Sequence, residues 1–302
     1  MKKVVVIVGP TGVGKSKTAV ALAKSLQGEI ISGDSMQVYK EMTIGTAKII
    51  ENEMQGVKHY LVNDRSYKDE YNVKIFQQQA RSLIDEIHRN DKIPILCGGT
   101  GLYIKAVLYD YEFHDQEEDT SFLSFLQERS NSELYAMLRV VDERSLDTIH
   151  KNNRQRMIRA LMIAHSGEKK SSIVASQEHK EIYDSFIIGL TMDRESLYET
   201  INLRVDEMMR NGLLEELHSI VEDESTWSLQ SMQGIGYKEW KPYFNKEQTV
   251  NECVEAIKKN SRNFAKRQYT WFRNQMQVHW YDIKKENWKE ELERELSSWM
   301  EQ

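Results

Sequence analysis

The chain has 302 residues, of which 40% are hydrophobic and 29% charged, a size and composition that suit a soluble globular protein of one large domain or two moderate ones. Its net charge of −6 argues against indiscriminate nucleic-acid binding, and no apolar run is long enough to span a membrane. Its two cysteines, Cys97 and Cys253, lie far apart without CxxC or His pairing, which excludes a disulfide framework or zinc site and points to the cytoplasm.

Residues 4–8 form an unbroken Val/Ile run too short for a signal core; a glycine-rich turn bounds it, so it reads as a buried parallel strand. Residues 15–26 place Ala19, Leu22, Ala23 and Leu26 at helical spacing, and Gly28 stops that helix. Residues 29–32 supply a second short strand ending at Gly33-Asp34. A helix is predicted over 73–89, with Ile75, Ala80, Leu83, Ile84 and Ile87 inward. Residues 92–97 read as another core strand, turned by Gly98-Gly99-Thr100-Gly101. Such alternation implies a parallel α/β sheet with ligands at the carboxyl ends of its strands.

From about 114 to 182 the pattern is polar and helical, without strand signals. The expected organisation is therefore a discontinuous core of residues 1–113 and 183–302, interrupted by an all-helical insertion at 114–182. Residues 185–191 return to the sheet, and helices follow to the end, including 197–211 and 250–275. Trp288, Leu292, Leu296 and Trp299 share one face of a last helix and form a docking stripe.

Charge is unevenly spread. Residues 256–281 hold no acid but carry Lys258, Lys259, Arg262, Lys266, Arg267 and Arg273; residues 148–167 likewise carry Lys151, Arg154, Arg156 and Arg159. Local patches decide where a polyanion docks. Gln155, Arg156 and Arg159 on one helix, and Lys258, Arg262 and Lys266 along another, are phosphate-contact candidates, with a solvated basic face as the plain alternative.

Gly9-Pro10-Thr11-Gly12-Val13-Gly14-Lys15-Ser16 satisfies G-x-x-x-x-G-K-[ST] at each fixed position, after a strand and opening a helix. Glycines let successive N–H groups point into one cavity, Lys15 reaches a terminal phosphate, and the Ser16 hydroxyl suits Mg²⁺. The motif defines a P-loop NTPase-like core and a nucleotide- or ATP-type phosphate cradle. An ATPase of this class places an Asp at the end of a hydrophobic strand; here strand 92–97 runs into Gly98-Gly99-Thr100 without a carboxylate, which weakens hydrolysis as the activity. Asp34, ending the second strand, is the better-placed acid for a base acting on an acceptor.

Further motifs accompany it: Ile31 to Tyr39, Ile44-Gly45-Thr46-Ala47-Lys48, Gly98 to Tyr103, Asn153-Arg154-Gln155-Arg156, Arg159-Ala160-Leu161, Arg204 to Glu216, Gly234-Ile235-Gly236-Tyr237 and Ala265-Lys266-Arg267-Gln268. In this order they closely resemble bacterial tRNA dimethylallyltransferases over nearly the whole chain. There are departures: Lys58 precedes His59 where the family usually has Pro-His, Asn63 stands near an expected acid, and Gln233 replaces a frequent Arg.

The resemblance implies transfer of a dimethylallyl group from dimethylallyl diphosphate to N6 of the adenosine 3′ to the anticodon, in the anticodon stem-loop of tRNA. It implies that Asp34 is the general base and that Thr11 and Arg204 line the channel where donor and base meet. Ser35, Met36 and Gln37 match positions that hold the flipped adenine, and Thr100 matches another tRNA contact. No membrane partner is expected, and the protein is expected to be a monomer. The rivals are an adenylate isopentenyltransferase acting on free nucleotides, a P-loop small-molecule kinase, and a nucleotide-switched RNA-binding module.

Overall fold

A computed structural model of the chain describes residues 1–113, 119–176 and 180–302, with the side chains of 174–176 not described. Two compact units result: Met1–Tyr109 with Glu181–Gln302, and Asp110–Lys180.

The first unit is built on a six-stranded, wholly parallel sheet of order β3-β2-β4-β1-β5-β6, comprising β1 Lys3–Val8, β2 Glu29–Ser32, β3 His59–Tyr60, β4 Pro94–Cys97, β5 Asp184–Thr191 and β6 His279–Asp282. Its helices are α1 Lys15–Ser25, α2 Glu51–Met54, α3 Val73–Arg89 and α4 Gly101–Leu108. The second unit contributes α5 Thr120–Gln127, α6 Asn131–Val141, α7 Arg154–His165 and α8 Lys170–Ser176. The chain then returns to the first with α9 Arg194–Arg210, α10 Leu213–Ile220, α11 Lys241–Phe244, α12 Val250–Gln275 and α13 Trp288–Met300.

Val4 to Val8 are wholly buried, as a central parallel strand covered on both faces requires. Val5 and Ile7 join Ile30, Ile95, Phe186 and Ile188 in one core with Ala19, Leu22 and Ala23 of α1. Successive strand residues point to opposite faces, so Val4, Val6, Ile31 and Leu96 face the other way, where α3 meets β2 and β4. The buried side of α3 is Phe76, Gln77, Ala80, Ile84 and Ile87. Ile75 and Leu83, expected inward, are only half-buried. Phe76 takes the inward place because it stacks on Tyr103 of α4, their centroids 4.7 Å apart.

Two strands are additions to the sequence reading, which ran helices from residue 191 to the end. β6 pairs with β5 at one edge of the sheet and β3 with β2 at the other. α13 closes the β6 edge as its apolar stripe requires. Leu292 and Leu296 are buried in the same core as α1, with Trp288 and Trp299 packed against it. The Trp299 indole donates to Asp184 at 2.8 Å, and Lys3 Nζ donates to the Trp299 and Met300 carbonyls at 2.5 and 3.0 Å. A cation there also offsets the negative end of the helix dipole.

The second unit has its own small core of Leu126, Leu134, Leu138, Ile149, Met157, Ala160 and Leu161. Arg154, one of the basic residues of this stretch, is spent on structure: its guanidinium donates to the Arg129, Leu126 and Gln127 carbonyls at the end of α5.

Leu296→Ala should empty a buried site beneath α13. Denaturant unfolding should report a loss of about 2–5 kcal/mol with an unchanged slope, the usual cost of such a truncation.

Candidate active site

The carboxyl ends of β1, β2 and β4 are laced together by backbone. Gly33 N–H donates to the Cys97 carbonyl at 2.7 Å and Gly98 N–H to the Ile7 carbonyl at 3.0 Å. The turns after these strands therefore converge on one place, and each carries a predicted motif. After β1, Gly12 and Gly14 take φ of 84° and 91°, a left-handed region that glycine enters without strain, and Gly14 caps α1. Gly9 to Ser16 thus end at a helix N-terminus whose N–H groups and dipole favour an anion.

Lys15 Nζ donates to the Pro10 carbonyl at 2.8 Å, curling over the loop. Burial brings its pKa down to about 8; Cys97 and Asp34 oppose that shift, and Arg204 adds to it. The same crowding pushes the Cys97 thiol up to about 12, chiefly through burial.

Arg204 of α9 reaches over this loop. Its Nη1 donates to the Thr11 hydroxyl at 3.1 Å and its Nη2 to the Ala47 carbonyl at 3.1 Å. Burial lowers its pKa from the ordinary guanidinium value, against the pull of Asp34, Glu53 and Glu207. Gln37 Nε2 also points at the Ala47 carbonyl, at 3.4 Å. Asp34 Oδ1 accepts from Met36 N–H at 2.8 Å, closing the turn after β2. Thr100, starting α4, accepts from Ser35 N–H at 3.3 Å.

Two cavities meet here. One, of about 800 Å³, is lined by the phosphate loop, with Lys15 and Ser16 in its wall, and by Gln37. The other, of about 440 Å³, is lined by Ser35, Met36, Thr100 and Tyr103, among others. Thr11, Asp34, Arg204 and Gln268 belong to both walls.

Gln268 of α12 stood in the sequence as part of a motif, with no role attached. It is 5% exposed; its Oε1 accepts from Thr11 N–H at 2.9 Å while its Nε2 donates to the Gly99 carbonyl at 3.0 Å. One buried amide thus ties the phosphate loop to the turn after β4. Phe264 and Met208, in the walls of both cavities, were also missed, since apolar helix residues read as core.

The basic residues divide. Lys258 pairs with Asp206 at 2.7 Å and Glu255 at 3.1 Å, and Arg262 donates to Asn202 at 2.5 Å, so two of the three stripe residues on α12 are engaged within the protein. Lys266 is exposed on α12 and lines neither cavity. Gln155, Arg156 and Arg159 are exposed on α7 in the helical unit, near enough to Lys170 that the two arginines, after burial, help lower its pKa. Of the departures, Asn63 accepts from buried Lys48 at 2.7 Å, and Gln233 donates to the Trp227 carbonyl at 2.7 Å. Among the described residues no cluster of His, Cys, Asp and Glu could by itself hold a metal, and no helix is long and apolar enough to cross a membrane.

Residues 37–275 match the family model for IPP transferase. A tRNA dimethylallyltransferase of Bacillus cereus (strain G9842) is 48% identical over 287 residues, covering 93% of this chain and 90% of the relative. One from Bacillus anthracis is 49% identical, covering 93% and 91%. The full-length tRNA isopentenylpyrophosphate transferase of Bacillus halodurans superposes with a TM-score of 0.75 at 40% identity, over 100% of this chain and 97% of that one. A eukaryotic dimethylallyltransferase acting on tRNA gives 0.82 at 30% identity, over 93% and 74%.

The lowered Lys15 gives a direct test. Its charged form holds an anion, so inorganic diphosphate should bind well below pH 8 and progressively less well as pH rises through that value. The Lys15→Met protein should bind weakly throughout, and the pH-dependent difference between the two, read by calorimetry, isolates Lys15 from titration of the ligand.

Proposed function

The chain belongs to the IPP transferase family, and from that premise we propose that it transfers the dimethylallyl group of dimethylallyl diphosphate to N6 of the adenosine 3′ to the anticodon in tRNA. The observation that carries this reading is the meeting of the two cavities at Thr11, Asp34 and Arg204. A phosphate cradle on one side and a second, mixed polar and apolar pocket on the other allow two substrates to enter separately and meet at their shared wall.

In this reading the donor's diphosphate lies on the loop from Gly9 to Ser16, with Pro10 and Val13 contributing backbone, and Lys15 and Arg204 face its oxygens. The allylic C–O bond breaks, its electron pair leaves with the diphosphate, and the N6 lone pair forms the new C–N bond. Cationic side chains and N–H groups fixed in advance around the leaving group stabilise the charge that develops on it. The proton lost from N6 passes to a carboxylate oxygen of Asp34. Ser35, Met36, Gln37 and Thr100 hold the extruded adenine, with Gln37 able to read its edge.

Ser16 is exposed at the first turn of α1 and lines the phosphate cavity, so its hydroxyl fits one ligand position of a Mg²⁺ ion. Among the described residues no cluster of His, Cys, Asp and Glu could by itself hold the ion, so its remaining ligands would come from the diphosphate and water, as is common for Mg²⁺. When bound, Mg²⁺ supplies charge neutralisation at the diphosphate. The helical unit, residues 114–182 in the sequence reading, contacts tRNA through Gln155, Arg156 and Arg159, with Lys266 on α12 adding a phosphate contact. The work of such an enzyme belongs in the cytoplasm, where its tRNA is.

Incubation with tRNA and dimethylallyl diphosphate, followed by mass spectrometry of the nucleosides, should reveal dimethylallyladenosine. Equal modification of free AMP would instead favour the nucleotide-prenylating rival, and ATP turnover without a prenylated product would favour a kinase or switch. Asp34→Ala should lower kcat by roughly 10²–10⁴-fold, the range for loss of a general base, with little change in donor affinity.

Binding of tRNA should weaken log-linearly with rising salt. Arg156→Ala, Arg159→Ala and Lys266→Ala should each raise the KM for tRNA, leave the donor KM alone and reduce the salt slope by about one unit. Gln37→Ala should lower kcat and leave the slope intact.

A further inference from the structure

Ala47 lies in the wall of the phosphate-side cavity, where its carbonyl links two residues that the proposed reaction assigns to different substrates. Its carbonyl accepts from both Arg204 and Gln37. Its φ is 43°, a left-handed conformation that costs an alanine energy and persists only where the surroundings over-determine it. Part of that determination is local: Ala47 N–H donates to the Ile44 carbonyl at 2.9 Å and Lys48 N–H to the Thr43 carbonyl at 3.0 Å, closing the loop on itself.

The rest comes from a distant carboxylate. Glu216, on α10, accepts from Thr43 N–H at 2.8 Å and Ile44 N–H at 2.7 Å on Oε2, and from Gly45 N–H at 3.1 Å on Oε1. The Tyr237 hydroxyl donates to the same Oε1 at 2.6 Å. Three successive backbone donors and a phenol converge on one side chain. Only a carboxylate offers acceptors on both of its oxygens at once. Tyr237 is wholly buried and packs against Gly45, where a Cβ would come within 2.6 Å of its ring. Gly236 abuts the Gly45 carbonyl in the same way, at 2.8 Å from a Cβ. The loop is thus held by Glu216 through three backbone bonds and packed against by Tyr237.

We propose that Glu216 is a positioning residue: by pinning loop 43–47 it aims the Ala47 carbonyl, and so holds the donor-side Arg204 and the acceptor-side Gln37 in register with each other. The proposal rests on the transferase reading above for the roles of those two residues. Glu216 lines neither cavity. It acts only through the loop. One carboxylate would then set the geometry of both subsites, so its loss should appear in the kinetics of both substrates together.

The test uses the full-length chain with tRNA and dimethylallyl diphosphate, and it starts from the wild type, whose prenylation of tRNA decides the transferase reading separately. Glu216→Gln keeps the shape and one good acceptor but turns an NH₂ group toward Gly45 N–H. Tyr237→Phe removes one bond and leaves the three backbone bonds in place. Glu216→Gln should lower kcat/KM for donor and tRNA alike, roughly 10- to 100-fold, as expected when reacting groups shift by about 1 Å. Tyr237→Phe should act in the same direction and less. Inorganic diphosphate should bind more weakly to Glu216→Gln, a readout that needs no transfer and survives a failure of the transferase reading.

A double-mutant cycle separates positioning from stability. In the Gln37→Ala background, Glu216→Gln should add less to the tRNA-side loss than it does alone, because part of its route has been removed. Unchanged kinetics and diphosphate binding in a folded Glu216→Gln protein would overturn the proposal. So would a fall in melting temperature accompanied by fully additive losses, which would make Glu216 structural. If Glu216→Gln does not fold, Tyr237→Phe carries the same cycle, and coupled or additive losses there support or overturn the proposal in the same way.

Discussion

Arg204 is a half-buried cation at the meeting of two cavities, and most of what surrounds it follows from the need to hold that charge. A guanidinium taken out of water must have its donors satisfied and its charge balanced nearby. The Thr11 hydroxyl and the Ala47 carbonyl meet the first need. Asp34, Glu53 and Glu207 answer the second only through space, which leaves burial as the larger influence on it. An anionic ligand on the phosphate loop would complete the balance. The proposed diphosphate would supply that charge, with Lys15, lowered by the same burial, at the neighbouring position.

The partners of Arg204 carry the constraint outward. Thr11 is held from behind by Gln268, whose other end holds Gly99, so the phosphate loop and the turn after β4 cannot move independently. Ala47 is held by loop 43–47, and the loop by Glu216 and Tyr237. Each step ends in backbone or in a buried side chain with its hydrogen bonds made. Preorganisation of this kind suits a reaction in which charge separates between two substrates, because the dipoles need not reorient as it does so.

How far this was legible in the sequence depended on how local each signal was. The phosphate loop, β1, β2, β4 and α3 follow from contiguous patterns, and residues 73–89 were read to their ends because helical periodicity persists over the whole segment. β6 was invisible for the opposite reason. His279-Trp280-Tyr281-Asp282 is short, carries polar ends and follows a 26-residue helix, and only its pairing with β5 makes it a strand. Gln268 and Glu216 stood inside recognisable motifs yet carried no readable role, because Thr11 lies 257 residues from Gln268 and the loop residues Thr43 to Gly45 more than 170 from Glu216. Lys258 and Arg262 show the same limit. Their spacing put them on a common stripe with Lys266, but the acid and amide that occupy them sit on α9, which spacing along α12 does not register.

The position of Asp34 reconciles two readings that the sequence left in competition. As a turn residue it accepts from Met36 N–H through Oδ1, and this bond fixes both the carboxylate and the segment Ser35 to Gln37. As a base it needs an oxygen facing the acceptor, and a carboxylate has two. The turn bond uses one and sets the direction of the other. It also places Ser35, Met36 and Gln37 beside the base by the same hydrogen bond, so the residues proposed to hold the adenine and the group proposed to take its proton form one local unit. Arg204 then lies on the donor side of that unit, within electrostatic reach of Asp34. In the proposed reaction the proton ends on Asp34 and the negative charge on the leaving diphosphate. Arg204 and Lys15 now face the charge that remains, and the products hold their charges on the same side of the junction as the cations that stabilise them.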